Sequence, residues 1–144
     1  MAVHRITPVF VEFIPENIEQ GKLYISETYK TAIHKCCCGC GEEVVTPLSP
    51  ADWQLKKGVN TVSLYPSIGN WNYECKSHYF ISNNKIIWAR KFNQKQIQAV
   101  QTRDRMDKQR YIEQKNKVRP TTMLRTSNWF INVFKYIKSF LGTK

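Results

Sequence analysis

The sequence predicts an α+β protein, in which a small antiparallel β domain with a two-loop metal site precedes basic C-terminal helices. Three observations support this prediction. Short β-prone runs alternate with turn signals over residues 1–92. All five cysteines fall into two short clusters within that region. The net charge of +11 is concentrated after it, because residues 93–144 contain twelve Lys/Arg and three Asp/Glu.

The β-prone runs are short and rich in β-branched and aromatic residues. They cover residues 9–13, 22–26, 31–35, 44–46, 60–65, 79–81 and 86–88. Pro47 and Pro66 follow two of them directly and are expected to end those strands. Asn83 and Asn84 lie between the last two runs, and because Asn tolerates positive φ we expect a tight hairpin there.

The region after residue 92 predicts two helices. Asn93 and Gln96 have the spacing of a capping box, and the following sequence to residue 118 is charged and free of Gly and Pro. We therefore expect a β-rich metal-binding domain over 1–92 and a charged helix over 93–118, packed on the domain or extending from it. Residues 119–144 are expected to form a linker and an amphipathic basic helix, which Ser127 can cap and Gly142 can stop.

The two cysteine clusters predict one metal site. Cys36, Cys38 and Cys40 share a Gly-rich segment, and Cys75 precedes His78 by three residues. Thiolates and imidazoles in two short groups are typical ligands of tetrahedral Zn²⁺. Four ligands would come from Cys75, His78 and two thiols of the first cluster, and the sequence does not select that pair.

The type of site has alternatives. A Rieske [2Fe–2S] centre also uses two loops, but each loop supplies one Cys and one His, and here the first loop has a second Cys instead. A zinc-ribbon-like site rich in thiolates is typically structural rather than catalytic. Cys37 is a spare thiol that could act as a nucleophile, with His34 or His78 as its base. Residues 63–71 either pack beneath the metal site or form a recognition loop beside it, and the sequence leaves Ser67 and Asn70 undecided between these two roles.

Several of these segments together resemble an uncharacterised bacterial family of small Cys/His proteins, known only as a domain of unknown function. The resemblance covers about residues 9–112 and is carried by residues 31–34, 36–41, 44–48, Trp53, 63–71, 75–79, 88–89, 103–105 and 110–111. It implies a metal-binding role in which Cys36, Cys38, Cys40, Cys75 and His78 match the motif. The family tends to have proline where this chain has Cys37, so Cys37 is the least expected ligand.

Members of that family look like companions of bacterial ubiquitin-like conjugation systems. The resemblance therefore implies a zinc-binding accessory or binding module in such a pathway, with an E1/E2-like enzyme or a ubiquitin-like protein as partner. A metal- or thiol-dependent enzyme of the pathway, either a ligase or a modifier-removing enzyme, is one alternative. A Rieske-like [2Fe–2S] electron carrier is another.

Location and further partners follow from charge and hydropathy. The sequence shows no secretory signal and no apolar run of bilayer length, so a cytoplasmic protein is expected. The basic tail offers a surface for nucleic acid, although acidic residues interrupt it. The predicted helix over 127–142 has three alternatives: docking into a partner, lying at a membrane surface, or folding back on the β domain.

Overall fold

Eight strands form two four-stranded sheets, and one helix follows them. The computed structural model describes residues 1–118. The first sheet contains β1 (Thr7–Phe10), β2 (Lys22–Ser26), β3 (Thr31–Lys35) and β4 (Glu43–Pro47), and the second contains β5 (Gln54–Lys57), β6 (Val62–Gly69), β7 (His78–Ser82) and β8 (Lys85–Trp88). The helix α1 spans Gln94–Val118. The predicted α+β fold with an antiparallel-rich β region is confirmed.

Strand pairing is sequential in both sheets. The orders are β1-β2-β3-β4 and β5-β6-β7-β8. All neighbours are antiparallel except β1 and β2, which run parallel. This departure from a wholly antiparallel domain has a simple cause: a long connection separates β1 from β2, so the chain can return before it enters β2.

The core is built by inward-facing side chains of both sheets. Leu23 and Ile25 of the first sheet and Leu64, Tyr79 and Ile81 of the second are all nearly inaccessible to solvent and belong to one apolar cluster. Each such side chain contributes about 1.5–3 kcal/mol on burial. Because strand residues alternate between faces, the residues next to these in sequence lie on the outer faces of the sheets.

Two predicted local structures are confirmed. Asn83 and Asn84 have φ of 47° and 63° and form the turn between β7 and β8. The backbone N–H of Gln96 donates to Asn93 Oδ1 at 2.9 Å, and the N–H of Asn93 donates back to Gln96 Oε1 at 3.0 Å. This is a capping box that starts α1.

Strand β6 differs from its prediction. It does not end at Tyr65 but continues through Pro66 to Gly69, and the Tyr65–Pro66 peptide is cis. Its register with β7 shifts between Leu64 and Ile68, which marks a bulge. Proline is compatible with a strand at a bulge because the ladder does not need its missing N–H there. Strand β5 was not predicted because its sequence is mostly polar.

The chain divides within α1, between Asp104 and Arg105, into two compact units. In the first unit, Ile97 of α1 is buried. In the second, Arg110 forms an i,i+3 ion pair with Asp107 at 3.5 Å.

Over the part of the chain that the structure describes, no helix combines the length and hydropathy that a bilayer crossing requires. The linker and helix predicted over 119–144 lie outside the described residues, and the predicted domain boundaries stay predictions.

Candidate functional site

Four of the five cysteine sulfurs converge at one end of the sheets. The Sγ atoms of Cys36, Cys38, Cys40 and Cys75 all lie within 4.8 Å of one another. Cys36 Sγ is 3.4 Å from Cys38 Sγ and 3.9 Å from Cys75 Sγ. Tetrahedral zinc with Zn–S bonds of about 2.3 Å places its sulfurs about 3.8 Å apart. These four cysteines could therefore hold one metal ion after only small side-chain movements.

The first cysteine loop is a tight turn after β3. The Gly39 N–H donates to the Cys36 carbonyl at 3.0 Å, and the Cys36 N–H donates to the Glu42 carbonyl at 2.7 Å. Gly39 has φ of 85°, and a Cβ at this position would come within 2.6 Å of the Met1 carbonyl oxygen. Glycine is therefore required here, both by the backbone conformation and by the close approach of Met1.

A buried hydrogen-bond network links the cysteine cluster to β6 and β7. The Asn70 Nδ2 group lies 2.9 Å from Ser77 Oγ, 3.4 Å from Cys36 Sγ and 3.4 Å from Tyr79 Oη. Cys36 Sγ also lies 3.1 Å from Ser77 Oγ. The Asn70 amide donates to the Cys36 sulfur and so helps to hold it in place within the cluster. The Asn70 N–H donates to the Ser77 carbonyl at 2.9 Å, so this network also fixes where the two strands meet.

The thiols of Cys75 and Cys37 differ in acidity. Burial alone would raise the pKa of Cys75, but hydrogen bonds with Ser77 and the neighbouring thiols outweigh it and lower the pKa to about 7. Cys37 is only 1% exposed, and burial raises the pKa of its thiol to about 12. A thiol that stays protonated at neutral pH is a poor nucleophile. This opposes the interpretation of Cys37 as the nucleophile of a thiol enzyme.

His34 is equally enclosed. It is fully buried, and its Nε2 lies 2.8 Å from the Tyr79 hydroxyl. Burial lowers the pKa of His34 to about 4, so its ring is neutral near pH 7. His34 thus belongs to the core between the two sheets.

His78 lies outside the four-sulfur group and has other partners. Its Nε2 is 2.9 Å from Ser67 Oγ, and its Nδ1 is 3.2 Å from the Arg90 carbonyl oxygen. A carbonyl can only accept a hydrogen bond, so Nδ1 carries the ring proton and donates it. Nε2 is then the acceptor for the Ser67 hydroxyl. This is the tautomer that a serine nucleophile requires of its general base.

Aromatic side chains surround the His78 ring. The ring centroids of Trp71, Phe92 and Phe80 lie 5.0, 4.6 and 6.1 Å from that of His78, and Trp71 stacks on Phe92. His78 is 7% exposed, whereas Ser67 is half-buried. The aromatic rings hold the imidazole in one orientation and leave the serine side of the pair accessible.

Comparison with known protein families identifies the family of this chain. Residues 10–89 match the family model described as "Bacterial ubiquitination-like system serine protease (BubE)". The chain belongs to the BubE family. The match includes all five cysteines, His78 and Ser67, and it supports the resemblance to proteins of bacterial ubiquitin-like systems. No curated protein and no solved structure matches the chain.

The contact between Ser67 and His78 in this BubE-family chain could not be predicted from the sequence. The spacing of Cys75 and His78 is that of two metal ligands, but the structure separates them, since the His78 nitrogens face Ser67 and Arg90. Ser67 gave no motif of its own. The available signal was Pro66, which directly follows a β-prone run, because a proline within a strand is typical of a bulge and bulges often redirect side chains beside active sites.

Substituting Gly69 tests the aromatic packing around His78. A Cβ at Gly69 would clash with the Trp71 indole ring, so Gly69→Ala is expected to displace that ring from His78. We expect a loss of about 1–3 kcal/mol in the free energy of unfolding, as for other overpacked sites. Denaturant unfolding would measure it. The same Gly69→Ala change in a Trp71→Ala background is the control, because the ring that the new Cβ would meet is then absent. An equal loss in both backgrounds would contradict the prediction.

Substituting Cys37 tests the thiol-enzyme alternative. Because Cys37 is buried and its thiol stays protonated at neutral pH, Cys37→Ala should cost about 1–2 kcal/mol of stability through the small cavity it leaves. Bound metal and any hydrolytic rate should stay within about twofold of wild type. Metal analysis and turnover assays would check this, and a lost activity with metal retained would favour the thiol enzyme instead.

Proposed function

We propose that this chain is a serine hydrolase that releases a ubiquitin-like modifier by cleaving the bond at the modifier's C-terminal carbonyl. Ser67 is the nucleophile and His78 is the general base. One observation carries the proposal: the 2.9 Å contact between Ser67 Oγ and His78 Nε2, with the ring tautomer fixed by the Arg90 carbonyl. The description of the family as serine proteases of a ubiquitination-like system supports it.

The reaction follows from the positions of these groups. Ser67 Oγ attacks the scissile carbonyl carbon while its proton passes to His78 Nε2. The imidazolium that forms keeps its Nδ1–H bond to the Arg90 carbonyl, which stands where a serine triad has a carboxylate. Nε2 then gives the proton to the leaving amine, and the C–N bond breaks to leave an acyl-serine. Water activated by His78 hydrolyses that ester and restores the Ser67 hydroxyl.

We propose further that Cys36, Cys38, Cys40 and Cys75 hold a structural Zn²⁺. The S···S distances fit tetrahedral sulfur ligation, and four protein ligands leave no position for a catalytic water. Bound there, the ion would act as a cross-link between the loops after β3 and before β7. His78, predicted from the sequence as a ligand, is assigned here to Ser67 instead. Metal analysis with an absorption spectrum tests the choice, since zinc gives no visible bands and a [2Fe–2S] cluster would overturn it.

The proposal differs from a purely accessory zinc module in having an accessible serine with a base. An accessory module predicts no serine more reactive than the others. The partner in the hydrolase proposal is the ubiquitin-like protein itself, as substrate, rather than an E1/E2-like enzyme.

A fluorophosphonate probe tests the nucleophile directly. Such probes phosphonylate activated serines, so peptide mass mapping should find the label at Ser67. Ser77 is a control, because it is buried among the cysteines. The label should disappear in His78→Ala and in heat-denatured protein. An unlabelled protein, or labelling that does not depend on His78, would refute the hydrolase proposal.

A further inference from the structure

A groove on the outer face of the second sheet lies beside the proposed catalytic pair. It has a volume of about 720 Å³, and its walls include Gln54, Lys56, Ser63, Tyr65, Phe80 and Ser82, from strands β5, β6 and β7. Phe80 follows His78 by two residues on β7, so both side chains lie on the same face. Their ring centroids are 6.1 Å apart. Tyr65 precedes Ser67 by two residues on β6. The end of the groove that Tyr65 and Phe80 form is therefore the end nearer to Ser67 and His78.

The walls of this β5–β7 groove combine exposed aromatic surface with positive charge. Tyr65 is 68% and Phe80 is 38% exposed, so both rings present apolar surface to the groove. The lining contains Lys56 and Lys57 but neither Asp nor Glu. Among the described residues, Lys57 forms an ion pair with Glu27 at 2.8 Å, whereas Lys56 forms none. The charge of Lys56 is thus available to a ligand.

We propose that the β5–β7 groove binds the extended acyl-side segment of the protein substrate, with an apolar side chain on Tyr65 and Phe80 and a carboxylate facing Lys56. This inference rests on the proposed hydrolase function. The acyl side is favoured because the modifier is the part common to all its conjugates, and its C-terminal carbonyl is the one attacked. A volume of this size suits a few residues of an extended chain.

Two matched fluorogenic peptides test the proposal. Both are N-acetyl tetrapeptide coumarylamides that end in the same residue, and one carries Glu where the other carries Gln. We expect wild type to prefer the Glu peptide in kcat/KM. Lys56→Glu should lower kcat/KM for the Glu peptide about tenfold and leave the Gln peptide within about twofold. Raising the salt concentration should reduce the difference, since the interaction is partly exposed.

Matched controls separate this inference from the proposed function. Lys95→Glu makes the same charge change at an exposed residue of α1 outside the groove, and it should match wild type on both peptides. Hydrolysis of p-nitrophenyl acetate, which is too small to fill the groove, should be equal in all three proteins. No ester hydrolysis by wild type would refute the hydrolase itself.

Two results would overturn the groove inference while the hydrolase stands. One is that the protein hydrolyses p-nitrophenyl acetate, but Lys56→Glu and Lys95→Glu have the same kcat/KM on both peptides. This includes the case in which neither peptide is cleaved. The other is a Lys56 effect seen only in longer peptides whose acidic residue follows the scissile bond, which would place the leaving group in the groove.

Discussion

Replacing Ser67 with alanine is expected to lower the rate of hydrolysis by about 10³-fold or more. The substitution removes the attacking oxygen and leaves His78 Nε2 without its 2.9 Å partner. Because Ser67 is half-buried and its side chain makes this one hydrogen bond among residues 1–118, the free energy of unfolding should change by only about 1 kcal/mol. Steady-state kinetics on an activated ester, together with thermal unfolding, would measure both effects.

Ser49 provides the matched control for that experiment. It is also half-buried, it lies outside the β5–β7 groove, and its hydroxyl donates a hydrogen bond to Asp52 Oδ2 at 2.7 Å. Ser49→Ala should therefore affect stability slightly and the rate by less than about twofold. Equal rates for the two variants would show that the Ser67–His78 contact is a structural hydrogen bond.

Replacing Cys75 with serine is expected to have the largest effect on stability. Serine supplies no thiolate, so the metal should bind far more weakly, and the two cysteine loops would lose their common cross-link. A metal ion that binds only the folded protein adds its binding free energy to the stability of the fold. We therefore expect the free energy of unfolding to fall by several kcal/mol and the melting temperature to fall strongly. Metal content and thermal unfolding of the purified variant would measure this.

A chelator supplies the complementary measurement for the metal site. Wild type treated with a strong zinc chelator should reach the low melting temperature of Cys75→Ser, and the variant should show little further change. Full metal occupancy in Cys75→Ser would contradict the ligand set. An unchanged melting temperature after metal removal would contradict the structural role.

The features that could be predicted from the sequence are those that depend on residues close together along the chain. The Asn83–Asn84 turn, the Asn93–Gln96 capping box and most strands follow from local preferences for backbone conformation, and the structure confirms them. The two cysteine clusters could be expected to meet because soft ligands in two groups are uncommon without a metal. Convergence of four sulfurs agrees with that expectation.

The partners of the His78 ring are set by contacts between strands, which the sequence around His78 does not show. Cys75 and His78 are close along the chain, and their spacing alone cannot show that β7 begins between them and turns the imidazole to the outer face. Ser67 is brought to His78 by the bulge in β6, where register shifts across Pro66. Such a bulge arises from pairing with β7 across the sheet, so the local sequence of β6 could not predict its effect.

The short connection between Cys75 and His78 links the cysteine cluster to the alternation of side chains along β7. Only Lys76 and Ser77 separate Cys75 from His78, and β7 starts at His78. A cross-linked Cys75 would therefore anchor the residue at which alternation along β7 begins. One residue inserted between them would set the cysteine cluster against this alternation, because either Cys75 would leave the other three sulfurs or His78 and Tyr79 would exchange faces. The cysteine cluster and the buried face of β7 thus constrain the length of the same short connection.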